Sequence, residues 1–193
     1  MSREFMHLGE RKVEAARRNA TVTLTQKNPG TPSGYACIRI KEDAEFLPLF
    51  GKLSADERVA ECETTRGDYD LILLIKGKTD EELGKETAAL RSMKGIGTMV
   101  FSQVSSRALR EQGNREACPY GAYAFAEVEP GRLDAVSRRV SALESVAACA
   151  TLEGPYQLAL IVEGPSYGRI DEMVRGAIAP LEGVLRVHQC PVI

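Results

Sequence analysis

The chain has 193 residues, with 25 Lys and Arg against 27 Asp and Glu, a formal net charge of −2. So near a balance carries no polyanion-binding signature, and the longest apolar runs are strand-sized, too short for a membrane-spanning helix. Five cysteines, Cys37, Cys62, Cys118, Cys149 and Cys190, form an odd set without C-x-x-C spacing, which argues against a disulfide framework or a zinc site.

Glu4, Glu10 and Arg11 stand where a secretory signal needs an apolar stretch, so a cytoplasmic protein with reduced thiols is expected. Residues 1–33 read as an arm. Phe5, Leu8, Val13 and Ala16 fall near helical spacing, residues 21–25 (TVTLT) alternate as an extended segment, and residues 28–34 are linker-like in composition. Arg11, Lys12, Arg17 and Arg18 are interleaved with Glu10 and Glu14, the pattern of a solvated helix face.

A first unit is expected over residues 34–104. Residues 35–40 alternate as a strand, and Phe46, Leu47, Phe50 and Leu53 mark a helix beginning at Asp43 or Glu45. Residues 58–65 form a second strand and turn at Gly67 into the unbroken apolar run of residues 71–75. Such a run needs cover on both faces. Thr79 and Glu82 make a capping box for a helix with Leu83, Thr87 and Leu90 inward, and a last strand spans residues 96–104.

Residues 105–121 read as a linker with a helical turn near residues 107–112. The pattern then restarts over residues 122–193. Pro130 suits a first helical turn and Leu133, Val136, Val140 and Leu143 form a stripe. Strands follow at 145–153 and 158–162. Ser166 caps a helix with Ile170, Met173, Val174 and Ile178 inward, and residues 184–192 close the unit.

The two passes share a period. Gly67 and Gly154 lie 87 apart, while Tyr35 with Tyr123 and Gly95 with Gly183 lie 88 apart. The fold class is therefore α+β: two tandem ferredoxin-like βαββαβ units. Helices cover one face of each antiparallel four-stranded sheet, and the two sheets pack face to face to cover the other.

The hairpin Gly67-Asp68-Tyr69-Asp70 ahead of an apolar strand, with Val59, Cys62 and Thr65 before it and Gly95-Ile96-Gly97-Thr98 after, resembles the effector (RAM) domain of Lrp/AsnC-type regulators. The likeness covers residues 34–104 well and 122–193 more loosely. It implies an amino acid or similar small molecule bound near Gly67, Asp68, Tyr69 and Asp70, with Gly97 and Thr98 as further contacts. It also implies self-association through sheet faces or edges. A glycine turn can offer backbone N–H groups to a carboxylate, and Asp70 a negative partner for an ammonium. The second copy reads Gly154-Pro155-Tyr156-Gln157, with an amide in place of the carboxylate.

Such regulators carry a helix-turn-helix domain, for which the arm is too short. The expected function is thus an effector-binding or assembly protein, not an enzyme. It would act through a protein partner, without sequence-specific DNA binding, membrane contact, cofactor or catalytic residues. The alternative is a dimeric α/β-barrel enzyme, a monooxygenase or a haem-linked decarboxylase. Against that alternative stands the histidine count: His7 lies in the arm, and His188 reads as a lone strand histidine sharing a face with Cys190.

Overall fold

The computed structural model describes residues 31–109 and 118–193. The expected arm helix, the extended segment at 21–25, and residues 28–30 and 110–117 of the expected linkers lie outside them. The described elements are β1 (Ser33–Ile40), α1 (Phe46–Ser54), β2 (Val59–Thr64), β3 (Leu71–Lys76), α2 (Asp80–Arg91) and β4 (Ile96–Leu109). They continue with β5 (Tyr120–Val128), α3 (Leu133–Ser141), β6 (Val146–Glu153), β7 (Leu158–Gly164), α4 (Tyr167–Met173) and β8 (Val184–Pro191). The βαββαβ order thus occurs twice.

Local chemistry sets the helix starts. Glu82 N–H donates to Thr79 Oγ1 at 3.1 Å and Glu82 Oε2 accepts from Lys78 N–H at 2.6 Å, a capping box one residue wider than the usual form. Arg169 N–H donates to Ser166 Oγ at 3.3 Å. Pro130 falls in the turn before α3 rather than inside the helix. Val174–Ile178 follow α4 as a π-turn, marked by Ala179 N–H donating to Val174 O at 2.8 Å.

All eight strands join one antiparallel sheet in the order β2-β3-β1-β4-β6-β7-β5-β8. The two halves share an edge because β4 runs on past residue 104. Its residues 106–109 pair with Thr151 to Ala148 of β6. The expected linker turn at 107–112 is corrected to strand over its described part: an open β6 edge offers a ladder of hydrogen bonds that an isolated turn cannot match. At the far ends the sheet curls back on itself. Thr65 bridges Val192, Arg66 N–H donates to Pro191 O at 2.9 Å and Ile193 N–H to Thr64 O at 3.0 Å. The result is a barrel, firmly joined along β4–β6 and lightly along β2–β8.

The apolar runs are buried on both faces, as their lack of alternation demands. Leu71, Leu73 and Ile75 pack with Leu49, Leu53, Leu83 and Leu90 beneath α1 and α2. Ile72 and Leu74 point the other way, into a lumen filled by Tyr35, Tyr69, Tyr123, Phe125 and Tyr156. Leu158 and Leu160 sit under α3 and α4 with Val136, Val140 and Ile170. The registers of the two halves correspond: Ala36 opposes Leu73 as Ala124 opposes Leu160. The half-sheets face each other across the lumen, where Tyr35 lies edge-on to Tyr123 and Phe125 at 6.1 and 5.9 Å.

Candidate active site at the barrel mouth

The β2–β3 turn lies against the ends of β1 and β8. Gly67 has φ +107°, and a Cβ there would stand 3.0 Å from Gln189 O, so the site demands glycine on two counts. Asp70 N–H donates to Ile38 O at 2.8 Å, and Asp70 Oδ2 accepts from Ile40 N–H at 2.7 Å. Its counterpart does the same work with an amide: Gln157 Oε1 accepts from Val128 N–H at 2.9 Å. Gly97 packs against the β1 bulge, 3.1 Å from Arg39 O to a Cβ position, and Thr98 opposes Arg39 in register. An open pocket of about 460 Å³ beside the turn is lined by Arg39, Lys41, Glu42, Phe46, Asp70 and Ile193.

Asp68 and Tyr69 lead elsewhere. Tyr69 reaches into the lumen, where its hydroxyl is hydrogen-bonded to that of Tyr156. Burial pushes both phenols above their ordinary range, and for Tyr156 the neighbouring Tyr69 hydroxyl adds to the rise. The Asp68 carboxylate faces His188. His188 Nδ1 lies 2.6 Å from Asp68 Oδ2, and Nε2 lies 3.4 Å from Glu127 Oε1. The ring sits 5.3 Å from that of Tyr156, with the side chain only 18% exposed. Arg39 pins the Asp68 carbonyl through Nε at 3.2 Å and Nη2 at 2.8 Å, which fixes the turn that presents the carboxylate.

The cluster exists on one side of the barrel alone. The period maps His188 onto Val100, Glu127 onto Arg39 and Asp68 onto Pro155. A neutral imidazole donates from one nitrogen only, whereas an imidazolium can donate to both carboxylates at once. His188 is thus held between an exposed acid, Asp68, and a half-buried one, Glu127.

Reading His188 as a lone strand residue is corrected here. Its partners come from the first hairpin and from β5, distances of 120 and 61 residues along the chain. The alternation that put His188 and Cys190 on one face of β8 was the available signal, since that face is the lumen. Glu127 and Tyr156 were not foreseen. Tyr156 was nonetheless legible as the periodic mate of Tyr69. Among the described residues no group of three or more His, Cys, Asp or Glu is placed to hold a metal ion. No described helix is long and apolar enough to cross a membrane.

Residues 121–193 match the family model of the Lrp/AsnC ligand binding domain. The match falls on the second unit, the one whose hairpin carries Gln157. No curated protein matches the sequence. Among solved structures, the chain resembles the siroheme decarboxylase NirDL with TM-score 0.67 at 10% identity, over 94% of this chain and 79% of that one. An anthrone oxidase-like protein follows at TM-score 0.55 and 10% identity, over 89% and 94%. Chlorite dismutase from Candidatus Nitrospira defluvii, in complex with imidazole, gives 0.51 and 11%, over 92% and 95%.

At such identities the likeness establishes the fold. It also overturns the expected function: an effector-binding regulator without catalytic residues was the main reading, and the solved barrels that share this architecture include enzymes, the decarboxylase and the dismutase among them. The reason the sequence misled is physical. Catalytic groups in a barrel converge from strands far apart in the chain, so no local motif records them.

Proposed function

We propose that the chain is an enzyme whose two βαββαβ units, both derived from the Lrp/AsnC ligand binding domain, supply the two halves of one α/β barrel. The proposed unit boundaries are 34–104 and 122–193. The observation that carries this reading is His188 clamped between Asp68 and Glu127 on one side of a pseudo-symmetric barrel. A purely structural pair of hairpins has no need of that asymmetry.

The reaction class we infer is decarboxylation of a polycarboxylated macrocycle. NirDL has been solved with an iron-uroporphyrin III analogue, and its likeness to this chain spans both units. Loss of CO2 leaves the bonding pair on carbon, and that carbon then takes one proton. His188 as imidazolium is placed to give it, and the largely exposed Asp68 carboxylate to pass a replacement from solvent. Arg39 and Lys41 flank the adjacent pocket and suit the remaining carboxylates. A resident haem does not fit these residues, since aromatic rings fill the lumen and both His188 nitrogens face carboxylates. The macrocycle is therefore written as substrate, approaching at the mouth.

The test is a titration with iron-uroporphyrin III followed in the visible spectrum, with mass spectrometry for CO2 loss. Wild type should perturb the spectrum and release CO2. His188→Ala should still bind and lose turnover by about 10²–10⁴-fold. No spectral change and no CO2 loss would sink the macrocycle as substrate, and unchanged turnover in His188→Ala would remove His188 from the chemistry.

A further inference from the structure

The two units differ at their first helices. Leu49 and Leu53 are the buried residues of α1, and Val136 and Val140 those of α3, each pair 87 residues apart. The same shift carries Phe46, Leu47 and Phe50 onto Leu133, Asp134 and Ser137. Leu133 is tucked against the core, whereas Phe46 is 38% and Leu47 77% exposed. Apolar side chains grouped in water on one helix turn mark a contact surface. Phe46 stacks on Phe50 with the rings 7° from parallel and their centres 5.9 Å apart, so one face of Phe46 is covered and held.

The neighbouring charge differs too. Where β1 ends the sequence reads Arg39-Ile40-Lys41, and where β5 ends, 88 residues on, it reads Glu127-Val128-Glu129. Phe46, Arg39 and Lys41 line one open pocket of about 460 Å³, together with Glu42 and Asp70. Asp70 Oδ2 is taken by the Ile40 N–H, and Glu42 sets like charge against an anion that strays from the two cations. Arg39 joins this pocket to the histidine cluster, because it also donates to the Asp68 carbonyl. The pocket is too small to enclose a tetrapyrrole with its carboxylate arms. The ring must therefore lie over the rim, where Phe46 is the aromatic side chain.

We propose that Phe46 is the platform on which the flat macrocycle stacks, with Arg39 and Lys41 taking its arms. Phe46 is then a specificity-determining residue that selects a planar ring over a puckered one. This rests on reading the substrate as a carboxylated macrocycle, and it adds the residue that recognises the ring rather than its charge. Offset stacking needs two flat faces, so a puckered ring bearing the same carboxylates gains nothing from Phe46. The equivalent place on the second unit offers Leu133 and acids, which suit neither the ring nor its arms.

The experiment titrates the full chain, without oxygen, with metal-free uroporphyrin III and with its hexahydro form, which carries the same carboxylates on a puckered ring. Wild type should favour the flat ring. Phe46→Ala should weaken flat-ring binding by about 3–10-fold and leave the puckered ring unaffected. Phe46→Trp should keep the preference, and Phe46→Leu, which retains apolar packing on Phe50, should lose it. With the iron macrocycle as substrate, the Phe46→Ala loss should fall on KM while kcat holds. Equal affinity of wild type for the two rings, or flat-ring binding by Phe46→Leu as tight as wild type, would overturn the platform alone. So would a Phe46→Ala chain that binds normally but changes its sedimentation, which assigns the patch to a second copy. The expected binding pattern without CO2 release would leave the platform standing and refute the decarboxylation. Failure of wild type to bind either ring would refute both.

Discussion

The lumen holds an ion pair whose removal can be reasoned through in advance. Arg107 of β4 reaches across to Glu61 of β2, Nη2 to Oε1 at 2.8 Å, with its guanidinium 5.9 Å from the centre of the Tyr35 ring. Tyr123 donates its hydroxyl to Glu61 Oε2 at 3.3 Å, and Arg107 Nε is buried without a partner. Breaking a fully buried pair by deleting one member costs about 3–5 kcal/mol, whereas replacing both with apolar groups is often near neutral. Here the side chains keep 21% and 30% of their exposure, so solvent screens part of the charge and a figure near 2 kcal/mol is apt for Glu61→Leu. Arg107→Leu should cost less, because the more exposed Glu61 can rehydrate and keeps Tyr123. For a chain of this size, about 2 kcal/mol lowers Tm by roughly 4–8 °C. The double variant should recover most of the loss, leaving a coupling of about 1–2 kcal/mol in urea unfolding at unchanged m-value. Additive single effects would refute the reasoning, showing that the two charges do not depend on each other.

Other expectations follow from the same contacts. Asp70→Asn should be nearly silent, since Gln157 already performs this acceptor role with an amide, while Asp70→Ala should cost about 1–3 kcal/mol by stranding the Ile40 N–H, read by chemical denaturation. Gly67→Ala should destabilise by about 1–3 kcal/mol through its positive φ and the nearby Gln189 carbonyl; an unchanged midpoint would contradict both. Ile72→Asp and Leu73→Asp should each cost several kcal/mol, because both positions are wholly buried, one in the lumen and one beneath the helices. Burial pushes the Cys62 and Cys190 thiols up from 9.0 to about 12. Folded values above unfolded ones mean their contribution is complete below pH about 9 and is lost as pH rises through about 12. Alkaline unfolding of wild type should therefore be steeper than that of Cys62→Ala, compared by melting across that window.

Much of the fold was decided by short-range chemistry that a sequence displays. The unbroken runs at 71–75 and 158–162 required cover on both faces. Thr79 and Ser166 marked helix starts, and the glycines at 67 and 154 marked the hairpins, because caps and left-handed turns depend on neighbours a few residues away. The period likewise placed Tyr69 and Tyr156 in equivalent positions. What it could not convey was that their hydroxyls meet, since two equivalent residues touch only if the half-sheets face each other at one separation. The extension of β4 was hidden for a similar reason. Residues 105–109 have no strong strand pattern of their own and become a strand because β6 lies alongside. The candidate site was the least legible part of all. His188, Asp68 and Glu127 are scattered along the chain, and their convergence follows from the curl that brings β8 back to the β2–β3 hairpin. That closure is a property of the whole sheet's twist and edge pairing, which no single stretch of residues encodes.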